Sequence, residues 1–323
     1  MLFVASLAGI PDVQLNNGVV MPMISLGTWQ YSPVVAEQTV SLGLSLGFNH
    51  IDTALDYKNQ EAVGRALAPH NRSSYFLTTK IPPQMFAKTA YANAMKDLDG
   101  DLVALGLDYV DLMLVHFPPK GNTMFCAAMQ EQWRAMEDFY KAKKARAIGV
   151  SNYCQSSFEC ILKTANVTPA VNQIQFHVGM SADPSGIKSY ADQRKIVTQS
   201  YSPLGDGTTE LINGPCVRHA CLRTLLRAQA HHMLTSDTLF VSRLRRLPIS
   251  MVSKIGDAHN KTGAQVSLHW VVKHGVPVST KSTKASHLKG DLDIFDWDVT
   301  DAELQTLDDA TSPAAHYSFM CQK

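Results

Sequence analysis

The chain has 323 residues, 45% of them hydrophobic and 18% charged, with a formal net charge of +1. That balance describes an ordinary globular protein and excludes a disordered polymer, a collagen and a strongly charged scaffold; no basic excess points to nucleic acid. The longest apolar stretches, such as Val110 to Val115, fall far short of the roughly 20 residues that cross a bilayer, so no membrane span is expected. Met1-Leu2-Phe3-Val4-Ala5 has no basic leader and meets Pro11 and Asp12 at once, so no signal peptide is expected either. Six cysteines, at 126, 154, 160, 216, 221 and 321, are scattered through a large chain, which suggests reduced thiols in a cytoplasmic protein.

Taken in chain order, Asp12 to Pro22 carries Asn16-Asn17-Gly18 between apolar runs and predicts a β-hairpin that could plug the bottom of a barrel. Eight strand candidates follow: Met23 to Trp29, His50 to Thr53, Tyr75 to Lys80, Val110 to Phe117, Ala147 to Ser151, Ala170 to Gln175, Val197 to Ser202 and Val276 to Thr280. Helical patterns lie between them, for example Val35 to Leu46, Ala90 to Leu105, Ala127 to Lys144 and Gly263 to Lys273, with Gly47, Gly106 and Gly275 as stops. Eight strand-helix units favour an α/β fold of the closed (β/α)8 TIM-barrel type in a single domain, 1-323. An open dinucleotide-binding sheet would need a glycine-rich turn after its first strand, and Leu26-Gly27-Thr28-Trp29 offers one glycine.

The apolar runs end on polar residues: Asp52, Lys80, His116, Ser151-Asn152, Gln173, Tyr201 and Lys281-Ser282. In a (β/α)8 barrel the C-terminal strand ends converge on one face, so these side chains should meet. Tyr57 follows Asp52 by five residues and can hang over that face. A free phenol, with a pKa of about 10, is a poor acid, and an ammonium beside it would stabilise the phenolate. Lys80 is the candidate ammonium, Asp52 its partner, and His116 a donor to a substrate oxygen. Together they make a proton donor for a carbonyl becoming an alcohol. Each member alone reads as readily as a structural residue; their coincidence carries the chemistry.

These stretches resemble the aldo-keto reductase family, of the aldose and aldehyde reductase type. The resemblance is carried by Asn49-His50-Ile51-Asp52-Thr53-Ala54-Leu55-Asp56-Tyr57-Lys58-Asn59-Gln60-Glu61, Leu114-Val115-His116-Phe117-Pro118, Ile148-Gly149-Val150-Ser151-Asn152, Val171-Asn172-Gln173-Ile174 and Tyr201-Ser202-Pro203-Leu204-Gly205. It implies NAD(P)H-dependent reduction of an aldehyde or ketone by a monomer, with Asp52, Tyr57, Lys80 and His116 as catalytic tetrad and no metal. It also implies that Ser151, Asn152 and Gln173 hold the nicotinamide carboxamide, that Tyr201 stacks on the ring, and that Gly27, Thr28, Ser202 and Leu204 complete the cofactor contacts. Trp29 and Phe117 match walls of the substrate pocket, the second being tryptophan more commonly. For the adenosine 2′-phosphate the family uses Lys-Ser-x-x-x-x-Arg; here Lys281, Ser282 and Thr283 are followed by His287 in the arginine's place. An imidazole cannot copy a bidentate guanidinium. Lys281, Ser282 and Thr283 still offer charge and hydroxyls to a phosphate, so the expectation is NADPH, with NADH possible. A cofactor-binding regulatory subunit of the same fold is the alternative reading.

Residues 216 to 250, in the loop after strand seven, have no counterpart in that pattern. This block holds six of the chain's eleven arginines, none of its eighteen lysines and Asp237 as its only acid. It reads as an insertion that leaves the barrel foldable and exposes function, so a catalytically impaired product is a further alternative. A basic amphipathic helix, a metal site at Cys216, His219, Cys221, His231 and His232, and a plain loop are other readings of it.

Overall fold

The computed structural model describes residues 3–4, 9–119, 122–205 and 250–310. Strands β1 (Phe3–Val4), β2 (Asp12–Gln14) and β3 (Val20–Pro22) form a small antiparallel sheet, with Val13 opposite Met21. Its turn lies against the N-terminal ends of two barrel strands: Asn16 Nδ2 donates to Pro169 O at 2.9 Å and Asn17 Nδ2 to Arg146 O at 2.9 Å. Val13, Leu15 and Met21 are buried beneath it. The expected hairpin thus closes the lower end of the barrel, with β1 added at its edge.

Eight parallel strands close the barrel in chain order: β4 (Ile24–Gly27), β5 (His50–Asp52), β6 (Phe76–Ile81), β7 (Val110–Val115), β8 (Ala145–Ser151), β9 (Val171–Gln175), β10 (Val197–Tyr201) and β11 (Val278–Thr280), which returns to β4. Strands β4 to β7 are buried along their whole length, because helices cover one face and the barrel interior the other. That is why they read as unbroken apolar runs. At Gly149, in β8, an added Cβ would lie 2.5 Å from Val171 O, so a side chain would push β9 away.

The helices form the outer layer, and local chemistry sets their ends. Ser32 caps α1 (Pro33–Leu46) by accepting from Val35 N, with proline opening the first turn and Gly47 closing the helix at φ 108°. The following helices are α2 (Gln60–Leu67), α3 (Ala87–Leu105), α4 (Cys126–Lys141), α5 (Gln155–Ile161) and α6 (Ile187–Asp192). Gly106 ends α3 in the left-handed region at φ 67°. After residue 250 come helices Met251–His259, Gly263–Lys273, Ala285–Leu292 and Asp301–Asp308; capping boxes Thr262/Gln265 and Thr300/Glu303 start the second and fourth. Trp270 stacks on Phe176 with ring centroids 5.0 Å apart, which locks Gly263–Lys273 against the barrel.

Cys126 and Cys160 form a disulfide between α4 and α5, with Cα atoms 5.6 Å apart. This corrects the expectation of reduced thiols at these two positions. The two helices meet through tertiary packing that a spacing of 34 residues does not reveal. Among the described residues no helix is long and apolar enough to cross a membrane. The expected insertion at 216 to 250, with its cysteines and histidines, lies outside the described residues except for Ser250.

Candidate active site

The upper ends of the strands surround a cavity of about 690 Å³. Asp52 ends β5 and is aligned with Thr78 of β6, so Lys80, two residues beyond Thr78, shares its face. Lys80 Nζ lies 2.6 Å from Asp52 Oδ1 and 2.9 Å from Thr53 O, and its side chain is 1% exposed. Its third donor points to Tyr57 Oη at 3.5 Å, on the 3-10 turn Leu55–Tyr57 that leaves β5. The other Asp52 oxygen accepts from Gln173 Nε2 at 2.7 Å, a bond that spans the barrel interior from β9 to β5. Gln173 Nε2 also donates to Gln199 Oε1 of β10 at 3.0 Å. Both oxygens of the buried acid are therefore satisfied, as burial of a charge requires.

The charges act on one another in opposite senses. Burial works against the Lys80 ammonium, but the Asp52 carboxylate and Tyr57 outweigh it, so the lysine's pKa is raised and the group stays charged. For Tyr57, burial is the largest influence and pushes the phenol up; the Lys80 charge and hydrogen bond oppose it without prevailing. The expected fall in the tyrosine's pKa is thus corrected, because burial outweighs the nearby ammonium. The phenol keeps its proton at neutral pH, and the ammonium limits how far burial raises it.

His116, just past the end of β7, faces Tyr57 edge-on with ring centroids 5.6 Å apart and stacks on Phe117 at 4.4 Å. Burial lowers its pKa, only partly countered by Asp56, and leaves a neutral imidazole. Its main chain is gripped from β8: Asn152 Nδ2 donates to His116 O at 3.0 Å and to Ser151 Oγ at 3.0 Å, while Ser151 Oγ donates to Gln173 O at 2.8 Å. Tyr201 Oη donates to Asn152 Oδ1 at 2.7 Å. Asn152 holds a left-handed backbone, φ 62°, a conformation asparagine tolerates better than most residues.

Of the residues expected at the site, Gly27, Trp29, Asp52, Tyr57, His116, Phe117, Ser151, Asn152, Gln173, Tyr201, Ser202, Leu204 and Lys281 line the cavity, with Lys80 buried behind Tyr57. Thr28 is fully buried, and its hydroxyl donates to Asp52 O, so it supports β5 and does not face the cavity. Ser282, Thr283 and His287 are outside the cavity lining, on the segment that opens helix Ala285–Leu292; Ser282 Oγ and His287 Nδ1 are 3.3 Å apart. Lys281 Nζ reaches Trp29 O at 3.1 Å and Gln30 Oε1 at 3.0 Å. The lining also includes Gln30, Asp56, Gln175, Pro203, Ser279 and Thr280, which sequence reasoning did not single out. Gln175 was available from strand periodicity, being two residues beyond Gln173 on the same face.

The aldo/keto reductase family matches residues 23–312. The chain is 31% identical to the morphine 6-dehydrogenase of Pseudomonas putida over 301 residues, which cover 93% of this chain and 90% of that protein. It is 30% identical to the glyoxal reductase of Bacillus subtilis over 299 residues, covering 92% and 91%. A variant of Gox0644 solved in complex with NADPH superposes with a TM-score of 0.72 at 26% identity, covering 93% of each chain. With its closed parallel barrel, and matched over nearly its whole length, the chain belongs to the aldo/keto reductase family of oxidoreductases that act on carbonyl compounds with NADP(H).

Proposed function

We propose that this protein reduces an aldehyde or ketone to the alcohol, with Tyr57 as proton donor, Lys80 and Asp52 as its electrostatic support and His116 as hydrogen-bond donor to the carbonyl oxygen. The observation that carries the reading is the chain Asp52–Lys80–Tyr57, at 2.6 Å and 3.5 Å, ending on a phenol at a cavity wall. The cavity fits a nicotinamide: amide and hydroxyl groups of Ser151, Asn152 and Gln173 lie at one side, and the Tyr201 ring beside them. Bare backbone at Gly27 forms another wall, where an added Cβ would come 3.2 Å from Ser279 Oγ. NADPH, when bound, supplies the hydride that the carbonyl carbon accepts.

The chain's own residues supply the rest. Tyr57 gives its proton to the carbonyl oxygen as negative charge develops there, and Lys80 stabilises the phenolate left behind. Asp52 keeps Lys80 charged and aimed; neutral His116 steadies the oxygen from the other side. Because burial raises the phenol's pKa, the reduction should hold through neutral pH and decline in alkali as Tyr57 loses its proton. Lys281, Ser282 and Thr283 would receive the 2′-phosphate, with His287 a weaker substitute for a guanidinium, which supports NADPH over NADH. Following NADPH absorbance with a panel of small aldehydes tests the reading: cofactor consumption dependent on aldehyde supports it, and none with any of them refutes it. Equal catalytic efficiency with NADH would refute the preference. Residues 216 to 250 are proposed to be dispensable for folding; a deletion variant that cannot fold would overturn that.

A further inference from the structure

Among the described residues two carboxylates reach the catalytic cavity, and one of them is paired with a lysine. Asp52 is buried against Lys80, whereas Asp56, one residue before Tyr57, lines the cavity with its side chain 51% exposed. Among the described residues the one ion-pair neighbour of Asp56 is His116, whose Nδ1 is 3.7 Å away, beyond hydrogen-bond length. That Nδ1 is buried without a hydrogen-bond partner, and the ring is neutral because burial lowers its pKa. The imidazole therefore offers Asp56 no compensating charge.

The surrounding groups strengthen the same sign. From α3, Asp97 lies close enough that the Asp56 charge joins burial in raising its pKa; Gln84 Nε2 holds its carboxylate at 2.8 Å and Lys96 partly offsets it. Lys80 is committed to Asp52 and Thr53 O, and Lys281 lies by Trp29 and Gln30. The part of the cavity bounded by Tyr57, His116 and Phe117 thus carries one negative charge that no cation among the described residues pairs with, next to the place where a carbonyl would react.

We propose that Asp56 is a specificity-determining residue that selects carbonyl substrates bearing a cationic group, an ammonium foremost, and disfavours those bearing a carboxylate. The proposal rests on the reading of Tyr57 and His116 as the reacting centre. A cation near the half-exposed Asp56 gains an attraction that solvent screens in part, and an anion meets the same field as repulsion. The attraction acts on substrate association, so it should appear mainly in KM and fade as salt is raised.

The test uses three para-substituted benzaldehydes with saturating NADPH: the trimethylammonio compound, its neutral tert-butyl isostere and the carboxylate. Wild type is compared with Asp56→Asn and Asp56→Lys, each checked for fold by NADPH titration. Dividing each variant's ratios by those of wild type removes the intrinsic reactivity of the aldehydes. In Asp56→Asn the cation-to-neutral ratio of kcat/KM should fall about tenfold and the anion-to-neutral ratio should rise, and Asp56→Lys should reverse the order. Ratios unchanged in both variants would overturn the proposal. So would an equal slowing of all three aldehydes, which would place Asp56 in support of His116 alone. If wild type oxidises no NADPH with any of the three, the reductase reading fails and takes this inference with it, a result distinct from active enzyme with unaltered ratios.

Discussion

Buried acids sit at both ends of the barrel, and their partners differ. At the lower end Asp111, the second residue of β7 and 1% exposed, accepts from Arg72 at 2.6 Å, Arg146 at 2.7 Å and Leu77 N at 2.8 Å. Arg72 also packs over the Tyr109 ring at 4.0 Å, so this cluster joins the starts of three strands, and none of its members lines the catalytic cavity. At the upper end Asp52 meets a single lysine, and that lysine extends the chain to a phenol on a cavity wall. The same kind of pair is a fastener below and, in the proposed reaction, the electrostatic support of a proton donor above. The direction of the cation's remaining donor makes the difference, in keeping with barrels that place stability at one end and chemistry at the other.

The sharpest way to break the comparison is to remove each cation or acid in turn and read both stability and turnover. Lys80→Met should lower kcat/KM by about 10²- to 10⁴-fold while the barrel remains folded, as checked by circular dichroism and NADPH titration. Retained activity would show that the ammonium is structural. Asp111→Ala should do the opposite. Urea unfolding should register a loss of roughly 3 kcal/mol, with turnover per folded molecule unchanged.

A third acid sharpens the contrast because no cation among the described residues forms an ion pair with it. Asp101 of α3 is buried behind β6, accepting from Gln60 Nε2 and from Thr79 Oγ1 at 2.9 Å. Burial pushes its pKa up to about 7, although the hydrogen bonds from Thr79 and Gln60 pull the other way. Between the ordinary carboxylate pKa and about 7 the folded chain keeps a proton that the unfolded chain has released, so stability falls as pH rises through that window. Asp101→Asn should remove this contribution. Urea midpoints at about pH 5 and about pH 8 should differ less in the variant than in wild type; an unchanged difference would show that Asp101 is already ionised.

The smallest expected effect concerns the segment proposed to receive the adenosine 2′-phosphate. His287→Arg should tighten NADPH binding by about tenfold and leave NADH unaltered, measured by fluorescence titration. An equal gain for both cofactors would mean that the new guanidinium does not meet the 2′-phosphate.

Much of this molecule was legible before its coordinates. Strands buried on both faces gave apolar runs whose polar last residues marked the face that bears the cavity, and Gly47 and Gly106 stopped the helices that contain the predicted patterns. Edges drifted where hydrogen bonding, not hydropathy, ends a strand: the expected Met23 to Trp29 is paired only over Ile24–Gly27, and Val276 to Thr280 only over Val278–Thr280. Asp101 and the Cys126–Cys160 link were not legible in the same way. Asp101 looks like any charge on a helix until its neighbours are known, and the disulfide depends on how α4 and α5 pack. Asp56 lay inside a recognised motif, yet its exposure to the cavity emerged only from the turn that carries Tyr57. The direction of the Tyr57 shift was misjudged because the nearby ammonium was visible in the sequence and the depth of burial was not.

The account as a whole depends on the phenol of Tyr57, and Tyr57→Phe removes one oxygen while keeping the ring. Measured with NADPH and a small aldehyde, this variant should bind the cofactor as wild type does and lose at least about 10²-fold in kcat. Undiminished turnover would contradict the assignment of Tyr57 as proton donor and, with it, the role given to the Asp52–Lys80 pair.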